Sequence, residues 1–142
     1  MKAILNFKQY EIEEINYKVN TLHEVEELSL EPLILCNVYR TKDNNSKFII
    51  KLGLEFGDET LKTTNSFLKC VVTGVFEQEA ETEIDLTPNA VAILFPYLRS
   101  LISDVTSKGS RDPIILPPIN VNEFLEQSET SEEDIEEEFH KF

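Results

Sequence analysis

No glycine-rich phosphate loop, no H-E-x-x-H zinc pair and no nucleophile motif occurs in this chain. It has two histidines, two cysteines, four glycines and no tryptophan. The raw material for most catalytic sites is therefore thin. His23 lies in an acidic stretch and His140 near the C-terminus, and neither stands beside a serine or cysteine. Cys36 and Cys70 are far apart, each inside an apolar run, with no C-x-x-C spacing. They read as buried thiols in a reducing compartment. A zinc site built from them and His23 would lack any short ligand spacing. Acid runs such as Glu13-Glu14 and Glu77-Gln78-Glu79 read as solvated faces rather than paired catalytic carboxylates. The expectation is a protein that is not an enzyme and needs no metal or other cofactor. Activity dependent on His23 or Cys70 would be the sign of the contrary.

Positive charge is also scarce. Thirteen lysines and arginines face 27 acids, for a net charge of −14. A surface this acidic repels nucleic acid and anionic membranes, and suits basic or unfolded polypeptides. Residues 128–142 (SETSEEDIEEEFHKF) hold seven acids and one lysine, so −6 of the total sits there. No apolar run approaches membrane-spanning length, and MKAILNFKQY does not resemble a signal peptide. A cytoplasmic protein is expected. Its 142 residues favour one domain, placed at residues 1–127. The acidic segment 128–142 is expected to be a disordered tail, because it offers little to bury against the entropy of ordering.

What the chain does have is one strong helix. In DLTPNAVAILFPYLRSLISDVTSKG, Val91, Leu94, Phe95, Leu98, Leu101, Ile102 and Val105 recur at three- and four-residue steps. Thr87 is the expected N-cap, Pro88 the first helical residue and Gly109 the C-terminal stop. Pro96 should kink the helix. Ala90, Ala92, Ile93 and Tyr97 add apolar surface off the main stripe, so burial on more than one side is expected.

Before that helix the grammar is β. A strand is expected within residues 10–20, followed by a loop over 21–31 that crosses the sheet. Leu33–Thr41, Lys47–Phe56 and Asn65–Glu77 read as strands of an antiparallel meander, with turns at Lys42–Ser46 and Gly57–Glu59. Gly74 suggests a bulge or bend. After the helix, Ser110–Pro118 must be extended because of its three prolines. Asn120 can then cap a short helix with Val121, Phe124 and Leu125 on its apolar face, and Glu123 as capping-box partner. The fold class is α+β, strands first and helices last, with the long helix covering one face of an antiparallel sheet.

One helix and one sheet face cannot bury all the apolar side chains on the 33–39 strand, the Ile114–Pro118 segment and the short helix. The surplus is either core plus an oligomer interface, or a groove for extended peptide in which non-directional burial gives affinity without sequence demand.

Two blocks resemble SecB, the protein-export chaperone family. Leu94, Phe95, Pro96 and Tyr97, followed by Arg99, match the opening of that family's long helix. Pro117, Pro118, Ile119, Asn120 and Val121 match the start of its last helix. Phe67-Leu68 and Gly74-Val75-Phe76 are a weaker echo, and the dense match covers about residues 89–125. The resemblance implies a four-stranded antiparallel sheet packed by one long kinked helix and one short C-terminal helix, and a homotetramer, a dimer of dimers with long helices between two sheets. It also implies ATP-independent holding of unfolded precursor proteins in apolar grooves. By position, Ile34, Cys36, Val38, Leu116, Val121, Phe124 and Leu125 would line the groove. A tryptophan often found in that family's crossover loop is absent. The resemblance further implies docking on the SecA motor through acids on the exposed sheet face. Glu14 matches one such acid and Leu68 an apolar neighbour of the face, whereas Lys18 and Cys70 stand where two further acids would be. A reversed charge there is a repulsive element toward a basic partner. SecB-like chaperones also serve toxin–antitoxin systems, so a dedicated adaptor for one antitoxin-like client is the alternative.

Overall fold

The computed structural model describes residues 4–41, 46–79, 84–117, 120–127 and 129–135. Its elements are β1 (Leu5–Val19), β2 (Leu33–Thr41), β3 (Lys47–Gly57), β4 (Ser66–Gln78), α1 (Thr87–Thr106), α2 (Val121–Gln127) and β5 (Glu129–Ile135). They form one sheet in the order β1-β4-β3-β2-β5. The first four strands pair antiparallel, as expected, and β5 lies parallel to β2. Residues 42–45, most of the expected first turn, lie outside the described residues.

Because β1 pairs with β4, the chain must cross the sheet to start β2 on the other side. The expected crossover at 21–31 does this without helix or strand. Asn65 fastens it. Its side chain accepts from the Val25 N–H at 2.7 Å and donates to the Val25 carbonyl at 3.0 Å. Its own N–H donates to Glu27 Oε1 at 3.0 Å. A nearly buried amide thus gives the loop the partners that a neighbouring strand would supply.

The turn after β3 is built on Asp58. Its carboxylate accepts from Thr60 N–H and hydroxyl, from Lys62 N–H and from Thr63 N–H and hydroxyl. Donation from Thr60, with Thr63 adding to it, holds this carboxyl far below its ordinary value of 3.8. A depressed folded value means that the charged form stabilises the fold above the unfolded value of about 3.9, and that this contribution fades as pH falls below it. The stability gap between wild type and Asp58→Asn is therefore expected to narrow below about pH 4. Urea melts across pH 2.5–7 check this, and a gap that stays constant would remove Asp58 from the acid response.

The core lies between one sheet face and α1. Cross-strand register places Cys36 opposite Leu52, Leu52 opposite Val72, and Phe48 opposite Phe76, all on one face. Above them sit Val91, Leu94, Phe95, Leu98 and Ile102 of α1, all buried. Phe7, Phe76 and Phe48 stack in sequence across three strands, with centroids 5.0 and 5.6 Å apart. Gly74 is not a bulge. It pairs regularly with Tyr10 and Ile50, and the ladder irregularities lie in β1, between Phe7 and Gln9 and between Ile12 and Glu14. A Cβ at Gly74 would meet Leu94 Cδ1 and Phe76 Cε2 at 3.0 Å. The glycine is there to let α1 close onto the sheet.

Both ends of α1 differ from expectation. Leu86 is the N-cap residue and makes no side-chain cap bond. The Thr87 N–H donates instead to Asp85 Oδ1 at 3.0 Å, while Arg40 on β2 donates to the Thr87 hydroxyl at 3.1 Å. This tertiary contact engages the hydroxyl that would have capped. The helix ends at Thr106 with Ser107 in a right-handed conformation, and Gly109 is not among the positive-φ residues. In between, α1 is continuous through Pro96. Ala92 and Pro96 are exposed, so the carbonyl that the proline leaves without a partner is on the watery side.

Within the segment expected to be a disordered tail lies β5. Residues 129–135 run along β2 with Leu35 opposite Glu129 and Thr41 opposite Ile135. Main-chain pairing on an open sheet edge needs no apolar side chains, so composition alone does not forbid it. Residues 136–142 lie outside the described residues.

Candidate functional site

An apolar hollow opens where β2, β3, α1 and the segment after α1 meet. Thr106, almost fully buried, creates it. Its hydroxyl donates to the Ile102 carbonyl and accepts from the Ile114 N–H, both at 2.8 Å. This pins the extended segment against the last turn of α1. Extended backbone alternates its side chains. Ile114 and Leu116 pack on the core margin, whereas Ile115 is 73% exposed. Between Leu116 and the sheet lies a cavity of about 160 Å³, lined by Ile34, Gly53, Leu54, Phe95, Leu98, Leu116 and Pro117. An apolar cavity of about 150 Å³ holds a benzene ring, so this one takes a single branched or aromatic side chain.

The next element extends the apolar surface. Asn120 Oδ1 accepts from the N–H groups of Asn122 and Glu123, at 3.1 and 3.2 Å, which is the expected N-cap. One helical turn apart on α2, Val121 and Leu125 lie half-buried against the core margin. Ile34, Leu116, Val121 and Leu125 are thus all at the margin of one core. Phe124 is on α2, but its side chain lies outside the described residues, as do Pro118 and Ile119.

Two expected groove residues are corrected by their burial. Cys36 and Val38 share the face of Ile34 but are sealed in the core at 0% and 3% exposure. Burial pushes the thiol of Cys36 up to about 11. Cys70 is likewise pushed up to about 11 by burial, with the Glu14 charge adding to it. Both are inert at neutral pH. Sequence reasoning in turn missed Leu54, Phe95 and Leu98 as cavity lining. The signal was present in the Phe95/Leu98 spacing, which turns both toward the same side of α1.

The outer sheet face reads differently from expectation. Leu68 is not on it: the side chain is buried in the core at 1% exposure. Glu14 is on it, 3.5 Å from Lys69. Beside it Glu13 meets Lys51 at 3.0 Å, and Lys18 donates to the Glu59 carbonyl at 2.7 Å. Glu13 and Glu14 are thus each paired with a lysine. His23 is exposed on the crossover, beside a polar hollow with Asn20, Asn65 and Arg111. Among the described residues no group of three or more His, Cys, Asp or Glu could hold a metal ion. None of their helices is long and apolar enough to cross a membrane.

A second apolar area lies at the opposite edge of the sheet. There Tyr10 and Tyr97 rings sit 4.4 Å apart, joining β1 to α1. Tyr10, Ile12 and Ile15 of β1 and Ile93 and Tyr97 of α1 remain exposed.

Residues 12–132 match the family described as preprotein translocase subunit SecB. The chain belongs to the SecB family. It is 34% identical over 126 residues to the uncharacterised protein MJ0357 of Methanocaldococcus jannaschii, covering 84% of this chain and 81% of that one. It is 29% identical over 122 residues to the protein-export protein SecB of Cellvibrio japonicus, covering 86% of this chain and 63% of that one. Its fold is similar to that of the SecB-like chaperone Rv1957 of Mycobacterium tuberculosis, solved in complex with a ChAD peptide from the Rv1956 HigA1 antitoxin. The TM-score is 0.60 at 13% identity, over 82% of this chain and 88% of that one.

Proposed function

We propose that this SecB-family chain is an ATP-independent holdase that keeps unfolded or extended polypeptides from aggregating, by non-catalytic burial of their apolar side chains. One observation carries this reading: the cavity under Leu116, with an apolar margin of Ile34, Val121 and Leu125 continuing onto α2. Burying one leucine- or phenylalanine-sized side chain contributes about 1.5–3 kcal/mol. Several weak, non-directional contacts along a margin suit clients that share no sequence. The acidic chain adds attraction for basic segments. The exposed Tyr10, Ile12, Ile93 and Tyr97 would bury against further copies in a homotetramer, at the sheet edge away from the groove. Function belongs in the cytoplasm, where precursor proteins await export. Docking on SecA would be weak, because Glu13 and Glu14 on the sheet face are each paired with a lysine and Lys18 adds a positive charge there.

The test is aggregation of a chemically denatured client after dilution into the pure protein, with light scattering to give the oligomer. Wild type is expected to suppress aggregation at about one assembly per client. Ile34→Asp with Leu116→Asp places two charges on the groove and should abolish suppression while the oligomer persists. A wild-type protein that leaves aggregation unchanged would sink the holdase reading. Tight binding of an antitoxin segment with no effect on generic clients would replace it by the dedicated-adaptor reading.

A further inference from the structure

The outer edge of β2 is already occupied, and what occupies it is the acidic segment that follows the groove. The geometry points to β5 as a tethered strap: a self-ligand on the β2 edge that an incoming extended client displaces. This rests on the groove reading above.

Three observations carry it. β5 pairs with β2 from Leu35 to Thr41, so it covers the edge of the strand that supplies Ile34 to the groove. A single residue separates it from α2, which ends at Gln127, so strap and groove margin are one continuous piece of chain. Finally, the segment Glu129–Ile135 (ETSEEDI) holds four acids and only one large apolar residue. Its attachment is therefore chiefly main-chain hydrogen bonding, to which any extended peptide has equal access. Four acids in seven residues also add like charge to a chain already at −14. An edge strand of this kind fulfils two needs. It hides the unpaired β2 edge from aggregation between copies, and it leaves readily when a better strand arrives. The better strand is one with alternating apolar residues for the groove and basic or neutral residues elsewhere. β5 and α2 would move together, so releasing the strap also frees Val121 and Leu125 to adjust to the client.

The strap is tested in the full chain with Ser131→Pro and Glu132→Pro together. Proline cannot donate to a ladder and blocks pairing from within the strand. The probes are fluorescent extended peptides, one alternating leucine with lysine and one alternating leucine with glutamate. Amide exchange of residues 35–41 is measured alongside. The double variant is expected to lose protection in β2 and to bind the leucine–lysine peptide roughly tenfold tighter than wild type, about 1.4 kcal/mol. The leucine–glutamate peptide should gain less. Unchanged protection overturns the strap, since β2 would then not rely on β5. Lost protection with unchanged affinity also overturns it, leaving β5 a passive edge cover. Lost protection with no peptide bound by either protein locates the failure in the groove reading itself and takes the gating with it.

Discussion

Gly57→Ala is expected to cost about 3 kcal/mol of stability, although it adds one methyl group at the end of a strand. Gly57 has φ of +92°, where an L side chain collides with its own backbone. Left-handed conformations alone cost a non-glycine residue about 1–2 kcal/mol. The added Cβ would also stand 2.2 Å from the Ser66 carbonyl oxygen, 3.1 Å from Thr64 Oγ1 and 3.2 Å from Phe67 Cα. These are not the loose ends of side chains. Gly57 and Phe67 are paired at the end of the β3–β4 ladder, and Thr64 Oγ1 accepts the Asp58 N–H at 2.7 Å. Relief therefore means breaking ladder or turn, which adds the 1–3 kcal/mol typical of overpacking. Urea denaturation at fixed protein concentration should show a lower midpoint with an unchanged slope. Gly109→Ala is the control. That glycine has nothing within 4 Å of the added carbon and no positive φ, so the change should be neutral or stabilising by about 0.5 kcal/mol. Equal effects at the two glycines would contradict the account of Gly57.

That contrast also marks where the sequence was legible. The meander from β2 to β4 could be read because its rules are local: alternating side chains, turn residues, and links too short for a parallel crossover. The same holds for the centre of α1 and for Asn120 as the cap of α2. Where two local rules competed, a distant residue decided. Asp85 and Thr87 could both serve the start of α1, and Arg40, far away on β2, engages the threonine hydroxyl. Gly74 reads in the sequence as a bulge or bend, and only the arrival of Leu94 over it shows a close approach instead. β5 escaped for a different reason. Composition reports what side chains can bury, whereas an edge strand is held by backbone groups that every residue carries, proline lacking only the N–H donor.

The site was half legible for a related reason. Strand parity correctly puts Ile34, Cys36 and Val38 on one face, but it says nothing of how far along β2 the helix extends its cover. The burial of Cys36 and Val38 and the half-exposure of Ile34 answer that. Parity also shows why Leu68 belongs inside: it shares its face with Cys70, Val72 and Phe76, all core residues.

Leu98→Ala should have the largest effect of any single change at the groove, because Leu98 belongs to two structures at once. It is a core residue at 1% exposure, and it lines the cavity beneath Leu116. Truncation of such a leucine costs about 2–5 kcal/mol, transfer free energy plus the void left behind. For a chain of this length, about 3 kcal/mol corresponds to a Tm roughly 10 °C lower. The new void, however, opens into the cavity rather than into a closed interior. A client side chain can refill it. The variant is therefore expected to prefer peptides with a phenylalanine anchor over those with a valine anchor, by more than wild type does. Leu116→Ala supplies the comparison. On the outer lip and only half-buried, it should cost about 1 kcal/mol of stability and weaken all peptides alike. If Leu98→Ala lowers Tm without changing the anchor preference, the cavity is not where the client side chain sits. If the preference shifts as expected, the floor of the groove cannot be reshaped without weakening the core, and selection for different clients is left to the lip.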